Sequence, residues 1–427
     1  MREPLMKYAL RAVLVVVLGT SAIAQTAAPP HGLAPNRTTR IDALLQRYVD
    51  EGRLAGAVAL VLQDGQAVYE RAVGWSDKEA GRKMAPDTIF RIASQTKAIT
   101  SVAILTLVEE GKIAVTDPAS RFIPGFAKTT VAVQADGETK IVPARRAITI
   151  RDLLTHTAGI SYGVQPSVAA QYEAKGLGPA AGYGWYTADK TESICDSMEQ
   201  LASLPFVAQP GDAWVYGYNT DILGCIAERA SGMPLDALIR TRITAPLGMR
   251  DTQFFLPAAQ RERLAAVYSL ADGRIVRAPD GARGQGHYVD GPRRSFAGGA
   301  GLLSTARDYA RFMEMIRNGG ALEGVRILSP RTVGLMTTNQ VGTLHSPSGL
   351  GFGFGFETTD RYGAKSLESV GSFGWSGAYG STYRVDPQTR TVMILMIQVL
   401  PNTSDVAERY SNTVYQALLE EGKGGTR

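Results

Sequence analysis

A serine and a lysine stand three residues apart in the stretch FRIASQTKAIT (90–100), at the point where a long apolar run begins. If that run is a helix, Ser94 and Lys97 lie one above the other on the same face, and the lysine amine reaches the serine hydroxyl. A serine hydroxyl is a weak nucleophile until a base takes its proton. A neutral amine can be that base. Burial among Ile92, Ala98 and Ile99, or nearby positive charge, lowers a lysine from its ordinary pKa of about 10.4. The start of the helix adds partial positive charge, which favours a developing oxyanion. On its own the pattern is short, and an N-capping serine followed by a solvated lysine is then the better reading.

Two further stretches supply what such a pair needs. WVYGYNTDILG (214–224) gathers Trp214, Tyr216 and Tyr218 just ahead of another helical run, and a tyrosine beside the pair can relay a proton. FGWSGAYG (373–380) reads as a strand whose glycines allow close approach of a substrate and expose a backbone N–H. A literal G-x-S-x-G also occurs at Gly159–Gly163, but a helical segment precedes it where the nucleophile elbow needs a strand. Ser161 is therefore set aside as the nucleophile. Of the four histidines, His31 falls in the leader and His156 reads as a polar residue satisfied at a helix end; neither they nor His287 or His345 form a convincing base. No Cys/His cluster has metal-ligand spacing.

Together the three stretches resemble the serine β-lactamase and penicillin-binding protein superfamily, most nearly the class C β-lactamases and the β-lactamase-like family VIII serine esterases, over about residues 37 to 422. ITIRDLLTHTAGI (148–160) is similar to a structural segment of that family. The resemblance implies an acylated Ser94, Lys97 as co-base and Tyr216 as the catalytic tyrosine, with Tyr218 as the alternative. It puts Trp375, Ser376 and Gly377 along the substrate, in the place of a Lys-Thr-Gly strand, and makes the N–H groups of Ser94 and Ala378 the oxyanion hole. No metal or organic cofactor is implied. Two departures bear on the substrate. The Tyr-x-Asn pattern reads Tyr216-Gly217-Tyr218, with Asn219 one place late. Trp375 stands where a lactamase lysine would meet the lactam carboxylate; an apolar face there favours neutral esters, although Arg384 is near enough in the chain to supply a charge. The expectation is a serine hydrolase of small or medium esters. The alternatives are a class C-type β-lactamase or D-amino-acid peptidase, and, from another class, a non-catalytic penicillin-recognising binding protein.

These residues need a frame. The periodicity of residues 40–56 predicts a helix, and 57–74 a hairpin turning at Asp64-Gly65. Residues 119–285 alternate short helical pieces with Gly- and Pro-rich loops, and capping boxes open at Thr149 and Thr305. Strands return at LGFGFETT, GSFGWSGAYGSTYRVD and TVMILMIQV, before a last helix bearing Val406, Tyr410, Val414 and Leu418. The expected fold is α+β. An antiparallel sheet is built from both chain ends (37–118 and 286–422) and flanked by helices, with a mostly helical region (119–285) in the middle.

Residues 1–24 read as a signal peptide. Arg2, Lys7 and Arg11 precede an apolar run too short to span, and Ala22-Ile23-Ala24 is a cleavage signal; 25–36 is a leader. A periplasmic or secreted protein follows. Its net charge, +5 for the whole chain, is not gathered into basic runs, which argues against nucleic acid. The expected partner is a small-molecule ester, lactam or peptide, with no membrane span after cleavage. Export would permit a disulfide between Cys195 and Cys225, but Cys225 lies in an apolar helical run, and both read rather as small buried hydrophobes. Residues 165–190, rich in Gly and aromatics, are a candidate lid or pocket wall.

Overall fold

The structure is a computed structural model that describes Met1 and residues 32–177, 188–282 and 284–419. The expected signal peptide, His31, and the centre of the expected lid lie outside those residues.

Helix α1 (Pro35–Asp50) opens with proline in its first turn, five residues earlier than the periodicity suggests. The hairpin follows as β1 (Gly56–Gln63) and β2 (Gln66–Asp77), joined through Asp64 and Gly65, both in the left-handed region. A short β3 (Arg82–Lys83) pairs with β2. The C-terminal strands are β4 (Leu350–Phe352), β5 (Glu357–Thr359), β6 (Phe373–Ser376), β7 (Thr382–Asp386) and β8 (Thr391–Met396). They form one eight-stranded sheet in the order β4-β5-β6-β7-β8-β1-β2-β3, so the two ends of the chain meet where β8 pairs antiparallel with β1.

Strand alternation explains why both faces are covered. Val58 and Leu60 of β1 and Val392, Ile394 and Met396 of β8 enter the larger core. Ala57, Ala59, Val61, Met393 and Leu395 enter a second core, closed by α1 and by α7 (Val406–Ala417) through Ile41, Leu45, Tyr48, Tyr410 and Val414. The larger core holds α2 (Thr96–Glu109), buried from Thr96 to Leu107, so this helix is enclosed on every side. It packs against α5 (Asn219–Ser231), while α6 (Ala306–Arg317) lies on β8 and β1.

The middle region contains α3 (Ile150–Leu154) and α4 (Ile194–Leu201), but also the hairpins Thr130–Ala135/Glu138–Pro143 and Tyr268–Ala271/Arg274–Arg277. The box at Thr149 is complete: its hydroxyl accepts from the Asp152 N–H while Asp152 accepts from the Thr149 N–H. At Thr305 only half of it forms, because the Asp308 carboxylate turns to the Asp251 N–H and the Thr252 hydroxyl. Cys195 and Cys225 form a disulfide, against the reading of two separate buried thiols; α4 packs along α5 and brings their Cα atoms within 4.9 Å. No helix among the described residues is long and apolar enough to cross a membrane.

Candidate active site

Ser94 sits in a 3-10 turn (Ala93–Gln95) that runs directly into α2, and Lys97 is one turn further on, buried. Ala93, just before the serine, has φ +43°, a left-handed conformation that costs a non-glycine residue energy. Packing holds it there. The Ala93 methyl lies in a small cluster with Val267, Ala278 and Tyr379, and Ala378 packs against the same cluster.

The Lys97 amine lies 3.2 Å from the Ser94 hydroxyl, 2.9 Å from the Tyr162 hydroxyl and 2.7 Å from the Gly299 carbonyl. A carbonyl can only accept, so one amine hydrogen is committed to Gly299. The other two contacts, to Tyr162 and Ser94, place the amine nitrogen within proton-transfer reach of the serine hydroxyl while Gly299 and Tyr162 fix its position. Gly299 is fixed in turn by its N–H, which donates to Asp221 of α5 at 2.9 Å, and a Cβ there would meet the same carboxylate at 2.4 Å.

Tyr216 stands across from this pair. Its ring centre is 4.7 Å from the Lys97 amine, and its hydroxyl accepts the Trp375 indole N–H at 3.1 Å. Two neighbours set the ring. Tyr162 meets it edge-on at 5.7 Å, and His156 lies 4.8 Å away. Gly217 lets this segment lie flat on residues 160–161, since a Cβ would come within 2.3 Å of the Ile160 carbonyl. His156 is buried with φ +58°; its carbonyl accepts from the Val215 N–H, and its Nδ1 lies 2.9 Å from the Asn219 amide nitrogen. Burial, then the Lys97 charge, push the imidazole well below its usual pKa, so the ring is neutral. The reading of a histidine satisfied at a helix end matches this position, and His156 also braces Tyr216.

Strand β6 closes the other side. A Cβ on Gly377 would fall 2.5 Å from the Ile92 carbonyl, so only glycine lets the strand end lie against the nucleophile turn, with Ala378 next to it. Trp375 faces Tyr216, Trp214 and Phe352, and these rings form an aromatic wall.

Three expected site features are placed differently. Tyr218 is turned away from the pair: it is buried, and its hydroxyl donates to the Leu177 carbonyl. Ser376 alternates to the face of β6 opposite Trp375, where it lines a separate cleft. Arg384 lies on that same opposite face, 3.3 Å from Glu357 and 3.8 Å from Glu368, and so does not reach the aromatic wall. Asn219 donates to the Ile160 and Val215 carbonyls as well as facing His156, so it secures the loop under Tyr216. Ser161 is buried in a local turn, its hydroxyl accepting from the Gly163 N–H. Sequence reasoning missed Tyr162. The only signal was its place in the G-I-S-Y-G loop following the THTAG segment.

The described ends of the expected lid are packed. Tyr172, in a short helix (Ala169–Ala174), fills the space above Gly163, and His287 pairs with Asp189 on the far side.

Comparison with known proteins gives the family. Residues 41–418 match the family model described as Beta-lactamase. The chain is 34% identical to Esterase EstB of Burkholderia gladioli over 87% of its own length and 92% of that protein's. It is 30% identical to a lovastatin esterase of Penicillium rubens, over 86% and 94% of the two chains. Its fold superposes on the solved structure of EstCE1, described as a hydrolase with promiscuous acyltransferase activity, with a TM-score of 0.74 at 27% identity, covering 90% of this chain and 98% of that one. On the family match, these relatives and the shared fold, the chain belongs to the Beta-lactamase family, as a serine hydrolase of carboxylesterase or β-lactamase type.

Proposed function

We propose that the protein is an exported carboxylic ester hydrolase acting on small or medium esters through an acyl-enzyme on Ser94. Lys97 and Tyr216 together take the Ser94 proton as the oxygen attacks the ester carbonyl. The oxyanion is held by the N–H groups of Ser94 and Ala378, and Tyr216 passes the proton to the departing alcohol. Water, activated at Tyr216, then releases the acid.

The observation that carries the choice of ester is the wall opposite the serine. Trp375 and Trp214 present aromatic surface there, backed by the buried Phe352, and the cation nearest in the strand, Arg384, is engaged by Glu357 and Glu368 behind the sheet. A substrate carboxylate would be desolvated at that wall without a counterion, which is costly, whereas a neutral ester is not. The names of the EstB and lovastatin esterase relatives point the same way. Export rests on the basic-apolar leader and on a disulfide of the kind that persists outside the reducing cytoplasm.

The test compares kcat/KM for p-nitrophenyl butyrate with that for nitrocefin, with Ser94→Ala as blank. Ester turnover that exceeds lactam turnover by about a hundredfold or more, and vanishes in the blank, is the expected result. Lactam turnover equal to or above it would turn the assignment to a β-lactamase or D-amino-acid peptidase. Activity surviving Ser94→Ala would remove the mechanism.

A further inference from the structure

A cavity of about 690 Å³ lies between the end of the short helix Leu235–Ile239, the loop 248–255 and the segment that runs from Arg293 to Leu302. Ser94, Lys97, Tyr216 and Trp375 are not among its walls. Two of those walls have irregular backbone. Residues Arg240–Thr244 wind as a π turn, and Arg293 holds φ +54°, a left-handed conformation that a non-glycine residue adopts at a cost. Departures of both kinds gather at ligand sites, where they aim side chains that regular structure would place elsewhere. The volume lies within the usual range for small-molecule sites.

The charge of the walls is one-sided. Arg240, Arg250 and Arg293 line the cavity, and all three are exposed. The carboxylate that lines it, Asp236, stands 3.9 Å from Arg240, too far for a hydrogen bond. Arg293 donates to the Leu256 and Val289 carbonyls, which hold its guanidinium without cancelling the charge. The charged groups just outside are matched among themselves. Asp251 takes both terminal nitrogens of Arg263 at 2.7 Å, Asp290 pairs with Arg261, and Arg311, beside Gly248, pairs with Glu323. Asp308 accepts from the Asp251 N–H and the Thr252 hydroxyl, and the exposed Arg294 offsets its charge. Three lining cations against one lining carboxylate leave a surplus of two positive charges. The apolar wall is Phe296, half-buried, its ring T-shaped against the buried Phe254 and Phe255 at 5.4 and 6.1 Å. The Arg293 guanidinium lies 5.7 Å from the Phe255 ring centre, so charge and aromatic surface are side by side. No helix begins at these walls to cradle a phosphate, whereas a planar guanidinium matches a carboxylate with two parallel bonds.

We infer that this cavity is a second binding site, for a small carboxylate that carries an apolar, ring-bearing body. It meets the ester site along the segment from Phe296 to Leu302. Both of those residues line the cavity, while the carbonyl of Gly299 between them accepts from Lys97, and Leu302 bonds to Ile92 and Thr96 on either side of Ser94. The aromatic wall at Trp375 offers no cation, so a carboxylate and its uncharged counterpart tell the two sites apart. The inference does not rest on the ester assignment, because binding is read without substrate.

The experiment is calorimetric titration of the intact protein with sodium hydrocinnamate and, as its uncharged counterpart, hydrocinnamyl alcohol. The titration is repeated on Arg250→Glu and on the paired change Arg240→Glu with Arg250→Glu. The expected result is saturable one-site binding of hydrocinnamate with Kd of about 1 mM or lower. Affinity should fall about threefold in the single variant, and at least about tenfold both in the paired variant and for the alcohol. Both substitutions are at exposed positions, so the variants should unfold within about 2 °C of the wild type, which marks them as folded. Non-saturating heats, equal binding of the alcohol, or unchanged affinity in the paired variant would overturn the proposal. So would a crystal soaked in hydrocinnamate that holds the ligand against Trp375 and not in the cavity. If the paired variant does not fold, Arg250→Glu and the soaked crystal decide it.

Discussion

The indole N–H of Trp375 donates to the hydroxyl of Tyr216 at 3.1 Å, so the residue that replaces a charged strand position also sets the direction of the tyrosine oxygen. Trp375 therefore has two separable effects. Trp375→Phe keeps the aromatic wall and loses the hydrogen bond, about 1 kcal/mol, which predicts a fall in kcat for p-nitrophenyl butyrate of about three- to tenfold. Trp375→Lys breaks the wall and adds a cation, and should raise the ratio of nitrocefin to ester kcat/KM by at least about tenfold. Steady-state kinetics on both variants check this; an unchanged ratio in the lysine variant would mean that charge at this position does not select the substrate.

Tyr162 predicts a different kinetic signature. Its hydroxyl is one of three partners of the buried Lys97 amine, and its ring lies edge-on to Tyr216. Tyr162→Phe leaves the ring and removes only the oxygen. A lost hydrogen bond to the buried amine beside the nucleophile predicts a fall in kcat of about ten- to a hundredfold with KM nearly constant. Wild-type kcat in this variant would reduce Tyr162 to a packing residue.

Why Tyr162 escaped sequence reading, when Ser94, Lys97 and Tyr216 did not, has a physical basis. Ser94 and Lys97 are neighbours through helix geometry, which a sequence displays directly. Tyr162 reaches Lys97 only because Gly217 lets two loops stack and because Gly299 closes the third side; no periodicity encodes such a meeting. The sheet was legible for the opposite reason. Asp64-Gly65 fixes one hairpin, and the alternating apolar residues of β1 and β8 require cover on both faces. Ser376 lies apart from Trp375: a short motif reads as a unit, while strand alternation sends its second residue to the far face. The cysteines failed because an apolar helical setting does not reveal which helix packs against it; α4 does.

That disulfide gives a stability prediction independent of catalysis. It closes a loop with a sequence separation of 30 residues between α4 and α5. Constraint of the unfolded chain over a loop of that size contributes about 3.7 kcal/mol. Reduction, or the paired change Cys195→Ala with Cys225→Ala, should lower the midpoint of chemical unfolding accordingly, leaving ester kcat/KM at 25 °C within about twofold. A midpoint unaffected by reduction would contradict the bridge.

His156 gives the stability a pH dependence. The folded protein holds the imidazole neutral and well below its usual 6.5, whereas the unfolded chain binds the proton near that value. Below about pH 6.5 the unfolded state then carries more protons, and stability falls as pH falls, by up to about 1.4 kcal/mol per pH unit for one group. Glu357, held far below the ordinary carboxylate range because His345, Lys365 and Arg384 outweigh its burial, adds its loss only once pH drops below about 4.5. Between pH 7 and 5 the His156 contribution is thus separable. His156→Gln should flatten the slope of unfolding free energy over that window; an unchanged slope would assign it to another group.

Gly377→Ala tests the geometry on which the oxyanion assignment depends. The added methyl would stand 2.5 Å from the Ile92 carbonyl, a contact that real Cβ atoms do not make, and the neighbour is backbone rather than a movable side-chain end. The strand end must retreat from the nucleophile turn by several tenths of an ångström, taking the Ala378 N–H with it. Loss or misplacement of one oxyanion donor costs about 10²- to 10³-fold in kcat, because the donor must meet the charge where it develops. Ground-state contacts along the aromatic wall are untouched, so KM should change little. Stopped-flow measurement of the p-nitrophenol burst locates the defect: a slowed burst places it in acylation, where Ser94 attacks. A variant with near wild-type kcat and an unchanged burst would show that the end of β6 does not hold the oxyanion, and the donor would have to be sought elsewhere around Ser94.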